Sequence, residues 1–321
     1  MTVTIKNRLL IDTDTAADDA VALLVALASP QTTVEALTIV SGNVGAEQAA
    51  RNALKTLEVA GRLEIPVHVG AAGPMTRVAE YATYVHGADG LGDQNYPQVG
   101  QSSPVSALQA TLRCLREHPG QITWIALGPL TNVATAILAD PATCALAKEL
   151  VIMGGVSDGV GNVTPAAEFN IWVDPEAARV VLRSGLPMRI VGWDISRLGE
   201  TVISADERER LRSCGHPRAR YAYDVTRRLW EFATSHGVAG MDLPDPVTMV
   251  LALHPHLGVW KQLHVDVECQ GELTRGALVI DHLSSTGAPA NASVCFAAQG
   301  DKVKAILFEC LGATGSELNG N

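Results

Sequence analysis

The chain has 321 residues, 47% hydrophobic and 18% charged, which supplies a sizeable core and is too little charge for disorder. A net charge of −10 argues against phosphate-backbone binding as the main task and suits a cation site. The 6 cysteines are scattered without a C-x-x-C spacing, as in a reduced cytosolic chain, and neither a signal peptide nor a membrane-length apolar run is present.

Residues 9–20 read LLIDTDTAADDA, a short apolar run that ends in Asp12, Asp14, Asp18 and Asp19. The run predicts a buried strand and 19–28 a helix, so the acids stand between a strand's C-terminal end and a helix's N-terminal end. A helix N-terminus favours negative charge. It does not account for this many acids so close together, which repel unless protonated or neutralised by a cation. Oxygen-only ligands suit Ca²⁺ or Mg²⁺. The simpler reading is a helix cap with solvated acids.

Strand-like and helix-like stretches then alternate. Strands are predicted at 34–40, 65–70, 122–128, 149–155 and 187–194. Helices are predicted at 46–61, 106–120, 130–139 and 174–185, the last with Asp174 as cap and a proline at its first position. The glycine-rich HGADGLG at 86–92 reads as a loop. This alternation predicts an α/β domain with a mostly parallel, doubly wound sheet, whose ligands gather beyond the carboxyl ends of the strands. DTDTAADD, SGNVG, GPLTN and GGVSDGVGN all follow such ends. The last third differs: 205–240 is helical and more charged, 241–246 reads as a turn, and a helix begins at 247. Strands at 263–268, 277–281 and 294–297 suggest a small antiparallel addition near the C-terminus. SELNGN at the end reads as a short tail. One domain over 1–321, with a helical insertion at about 204–240, is the simplest account.

Several residues stand out between these elements. Asp245 lies between two prolines and is either a turn-forming Asp or a distant partner of the first acids. Asn162, Glu168 and Asn170 fall in an irregular stretch; in extended backbone Glu168 and Asn170 share a side. Amides and a carboxylate suit hydroxyl groups, and also ordinary loop hydrogen bonds. Asn43 in SGNVG is similar. His86 on its loop reads as a solvated surface group, and Trp193 and Trp230 as core residues. No G-x-S-x-G, no phosphate-binding G-x-x-x-x-G-K-[ST], no helix-opening G-x-G-x-x-G and no zinc-like histidine spacing is present.

Taken together, IDTDTAADDA, SGNVG, HGADGLG, ALGPLTNVA, MGGV, NVTPAAEFNIWVDPEAA, the DP at 245–246 and ELTRG resemble the inosine–uridine-preferring nucleoside hydrolases along nearly the whole chain. That family splits the N-glycosidic bond of ribonucleosides into ribose and base with one bound Ca²⁺. The resemblance implies a metal held by Asp14, Asp18, Asp19, Asp245 and the backbone carbonyl of Leu127, with Asp12 supporting the loop. It implies ribose held by Asn43, Asn162, Glu168 and Asn170, and Asp14 as general base. It also implies a homodimer or homotetramer acting on a small-molecule ribonucleoside.

The chain departs from the family at Pro244, where many members carry a histidine that helps the leaving base acquire a proton. His86 and His236 are the substitute acids in view. Trp193, Trp230 and Phe232 are the aromatic groups that could stack on the base. The same departure motivates an alternative, a non-catalytic or slow nucleoside-binding homologue. A haloacid dehalogenase-type phosphatase is more remote: Asp12-Thr13-Asp14 fits its opening, but Ala16 stands where that motif has Thr or Val.

Overall fold

Strand β1 (Asn7–Thr13) runs through the middle of a large sheet, and its side chains alternate between two separate cores. Leu9 and Ile11 enter one, Leu10 the other. The structure is a computed structural model that describes residues 7–314. The further strands are β2 (Thr32–Ile39), β3 (Val67–Val69), β4 (Ile122–Ala126), β5 (Glu149–Met153), β6 (Met188–Val191), β7 (Gly258–Leu263), β8 (Val265–Val267), β9 (Leu278–Ile280) and β10 (Ala292–Ala298). The 8-stranded sheet has the order β3-β2-β1-β4-β5-β6-β10-β7. Every neighbouring pair is parallel except β10 with the edge strand β7. β4 is wholly buried, as expected for a parallel strand covered on both faces.

Helices cover the two faces. The Thr131–Ala139 and Pro175–Leu182 helices pack together on the Leu10 side. Asp174 caps the second, accepting the Ala177 N–H, and Pro175 takes the first position as the sequence predicts. On the Leu9 side the Ala17–Ala28 helix is buried along nearly its whole length, which its apolar sequence permits on every face. It packs against the Pro244–Leu253 helix. That contact brings two segments far apart in sequence to one place.

The late segments correct the sequence reading. Residues 241–246 are not simply a turn: the helix starts at Pro244, and Asp245 stands in its first turn. Proline fits there because first-turn N–H groups have no helical partner. The predicted strand at 263–268 is two strands meeting near His264, and β7 was not foreseen. β10 and β7 extend the main sheet, so only β8 and β9 form the separate antiparallel pair. Between 205 and 235 the chain forms three short helices, Ala205–Ser213, Pro217–Val225 and Arg227–Ser235. The tail at 316–321 lies outside the described residues. Among those residues no helix is long and apolar enough to cross a membrane.

Candidate active site

The carboxyl ends of β1, β2, β4 and β5 converge beneath a cavity of about 410 Å³. Asp18, Asp19 and Asp245 each direct a carboxylate oxygen into one spot, all within 4.8 Å of one another and all buried. The two helices that carry them supply this geometry: Asp18 and Asp19 lie in the first turn of one, Asp245 in the first turn of the other. Asp19 is fixed at both oxygens, by the Thr13 hydroxyl (2.6 Å) and the Ala16 N–H (2.9 Å).

Asp14 approaches from the end of β1, where its Oδ2 accepts the Asn43 N–H at 2.5 Å. It needs glycine on both sides. A Cβ on Gly128 would lie 2.6 Å from Asp14 Oδ1, and one on Gly42 would collide with Oδ2. Gly128→Ala is therefore expected to push the carboxylate out of place, costing about 1–3 kcal/mol of stability by overpacking and most of the activity. Paired melting and base-release measurements check this.

Asp12 is buried behind these groups. Its Oδ2 accepts from Thr38 Oγ1 (2.5 Å) and from Asn132 Nδ2 (2.8 Å), tying β1 to β2 and to the Thr131–Ala139 helix. One carboxylate oxygen each of Asp12, Asp14 and Asp18 is buried without a hydrogen-bond partner among the described residues. Burial pushes Asp12 up to about 7 and Asp18 up to about 6. Burial, then repulsion from neighbouring acids, raises Asp14, Asp19 and Asp245 as well. Carboxylates so short of donors fit a bound cation, and their oxygen-only character fits a hard one.

The Leu127 carbonyl, after β4, lines the same cavity and accepts from Asn170 Nδ2 at 2.6 Å. Glu168 and Asn170 correct the extended-chain reading. Glu168 caps a short helix, Phe169–Val173, and Asn170 lies inside it. Glu168 Oε1 accepts the Asn170 N–H and Oε2 the Gly155 N–H, both at 2.8 Å. Burial still raises this carboxyl to about 7. Asn162 Oδ1 accepts the Phe169 N–H. Asn43, Asn162, Glu168 and Asn170 thus all reach the cavity wall.

The opposite wall is aromatic. Trp193, Phe232 and His236 line it. Tyr84, which the sequence reading passed over, lines it too and meets Phe232 edge-on at 5.8 Å. His236 stacks on Phe232 at 4.3 Å, and its Nδ1 pairs with the Phe232 carbonyl. Trp230 does not line the cavity; it packs against the core, with Arg208 beside its ring. His86 is not a solvated loop residue. It ends a short helix, Thr83–His86, is buried, and holds Nδ1 3.7 Å from Asp18 Oδ1. Burial lowers its imidazole to about 4. Two further cavity residues were missed in the sequence. Asp242 accepts the Trp193 Nε1–H, and the Arg197 guanidinium lies 4.5 Å from the Trp193 ring centre. The M-D-L-P-D-P string contained the signal for Asp242, a second acid one turn before Asp245.

Comparison with known proteins gives a consistent picture. The family model described as inosine-uridine preferring nucleoside hydrolase matches residues 9–305. A pyrimidine-specific ribonucleoside hydrolase, RihA, of Citrobacter koseri is 38% identical over 288 residues, 89% of this chain and 91% of its own. A plant nucleoside hydrolase structure, PpNRh1, superposes with a TM-score of 0.89 at 32% identity, over 96% of this chain and all of its own (100%). A purine-preferring ribonucleoside hydrolase from Gardnerella vaginalis gives 0.89 at 26% identity, over 96% of this chain and 99% of its own. Nothing among these matches favours the phosphatase alternative.

Proposed function

The chain belongs to the inosine-uridine preferring nucleoside hydrolase family and is a ribonucleoside hydrolase, and we propose that it works with one Ca²⁺ ion held by Asp14, Asp18, Asp19, Asp245 and the Leu127 carbonyl. The clustered, donor-starved oxygens of Asp18, Asp19 and Asp245 carry this reading. Bound there, Ca²⁺ supplies a hard Lewis acid that gathers oxygen ligands and makes a water more acidic.

The protein's own groups do the rest. Asp14 takes the proton of the attacking water at Oδ1, the oxygen its Asn43 bond leaves without a partner. Asn162 spends its carbonyl oxygen on Phe169, which leaves its amide N–H₂ for a ribose hydroxyl. Asn170 is the reverse: its N–H₂ is spent on Leu127, and its oxygen accepts. Glu168 accepts from a further hydroxyl through the second lone pairs of its oxygens. Asn43 closes this set from the end of β2. Holding ribose at several points in one geometry removes much of the entropy cost of reaching an oxocarbenium-like state.

The base end offers aromatic surface and little acid. Pro244 has nothing to donate, His86 is neutral at pH 7, and His236 is solvent-exposed at the rim. His86, Trp193, Phe232 and His236 are contacts for the base, and 204–240 acts as an insertion within one domain that delivers two of them. A homodimer or homotetramer is what the family resemblance implies, and a cytoplasmic location is what the scattered cysteines suggest.

A panel of common ribonucleosides tests the reading, with base release measured before and after chelation. Release from at least one nucleoside is expected, with loss on chelation and recovery on adding Ca²⁺. Undiminished release after chelation would remove the metal from the scheme. Tight nucleoside binding without release would favour the binding-protein alternative.

A further inference from the structure

Asp242 is a further carboxylate on the cavity wall, not assigned above, whose charge reaches Asp18. It is half-buried on the cavity wall at the aromatic end, and among the described residues no Lys, Arg or His side chain pairs with it. Its one hydrogen bond comes from the neutral Trp193 indole N–H, which spends Oδ2. Its Oδ1 makes no hydrogen bond among the described residues and is open to accept from a ligand in the cavity.

The surroundings suit a flat cation. Trp193, Tyr84 and Phe232 line the same space, Tyr84 edge-on to Phe232. Arg197 already lies against the Trp193 ring, so this indole accepts a planar, delocalised positive charge. Arg197 is the one guanidinium on the cavity wall, and with Asp18 and Asp245 assigned to the metal, Asp242 is the carboxylate left at the aromatic end.

The chemistry at Pro244 agrees. A neutral nucleobase leaves poorly unless it gains a proton, and Pro244 cannot give one. A base that already carries positive charge needs none. Water adds its oxygen to the anomeric carbon and the C–N bond breaks. The bond's electron pair passes to the ring and cancels its charge, and one water proton is released through Asp14. The products are ribose, a neutral base and H⁺.

We propose that the Asp242–Trp193 end of the cavity selects ribonucleosides whose base is a cation, such as ring-N-methylated purines and pyrimidines. This rests on the hydrolase reading above and names the substrate class for that site.

Two matched pairs test it at neutral pH: N1-methyladenosine with adenosine, and N3-methylcytidine with cytidine. In each pair the methylated member is the cation. The holoenzyme is expected to prefer the cation by at least about tenfold in kcat/KM in every pair it turns over. Because a charged base is intrinsically easier to expel, the decisive quantity is how Asp242→Asn changes that preference. This substitution keeps an acceptor for Trp193 and removes only the charge. It is expected to reduce the cation preference by about tenfold or more, mainly through KM. Preference unchanged in Asp242→Asn overturns the proposal. Faster release from the neutral members also overturns it and leaves the hydrolase reading standing. No release from either pair or from the common nucleosides defeats both.

Discussion

Asp14→Ala is expected to lower kcat/KM for base release by at least about 10³, a loss of about 4 kcal/mol in transition-state stabilisation. In the proposed mechanism Asp14 holds the cation and takes the water's proton, and alanine does neither. The variant also provides its own control for folding. In the chelated protein Asp14 is a buried carboxyl crowded by Asp19 and Asp18, so removing it relieves repulsion. The chelated variant is therefore expected to melt no lower than the chelated parent. A variant that kept more than about a tenth of parental kcat/KM would show that the proton goes elsewhere.

Metal removal is expected to make stability fall as pH rises, the reverse of ordinary acid denaturation. The sign follows from which state holds more protons. Asp12 is displaced upward from 3.8 to about 7, Asp18 from 3.8 to about 6, and Glu168 from 4.5 to about 7, in each case chiefly by burial. Between those limits these three groups bind protons that the unfolded chain has lost; His86, lowered from 6.5 to about 4, opposes them with a single proton, so raising the pH still favours unfolding. Each tenfold difference in proton affinity corresponds to about 1.4 kcal/mol, so the group together accounts for several kcal/mol. Melting curves in chelator are expected to shift down progressively from about pH 4 to about pH 7. Adding Ca²⁺ should flatten that slope and raise the midpoint, the stabilisation reaching about 4 kcal/mol at a thousandfold excess over Kd. A chelated protein whose midpoint rose across that interval would show that these carboxyls are not displaced upward.

Much of the fold is readable in the chain because its inner strands are short, carry an apolar run and are followed by polar turns. LLI of β1 and ITWIA of β4 can hardly be anything else. The edge was harder. β7, GVWKQL, alternates between half-buried and exposed positions and carries little apolar signal. Pro244-Asp245-Pro246 misled because proline both makes turns and starts helices, and local sequence does not separate the two. The acids at the end of β1 were conspicuous because mutual repulsion demands a reason. The aromatic wall was not. Tyr84, Trp193 and Phe232 come from distant segments and meet only through packing, and Asp242 passed for part of a turn. His86 was misjudged for the same cause, since its burial depends on elements far from it in sequence.

The packing of the Ala17–Ala28 helix on the Pro244–Leu253 helix has a consequence for how the molecule is made. Asp18 and Asp19 leave the ribosome early and Asp245 more than about two hundred residues later, at a synthesis rate of roughly 5–20 residues per second. For tens of seconds the nascent chain holds a crowded acidic turn without its last member and without the helix that shields it. The carboxylate cluster closes only once the late helix has docked, so in the proposed reading cation capture reports a finished fold. A chain that stalls or misfolds before that point never acquires the grip that would lock it.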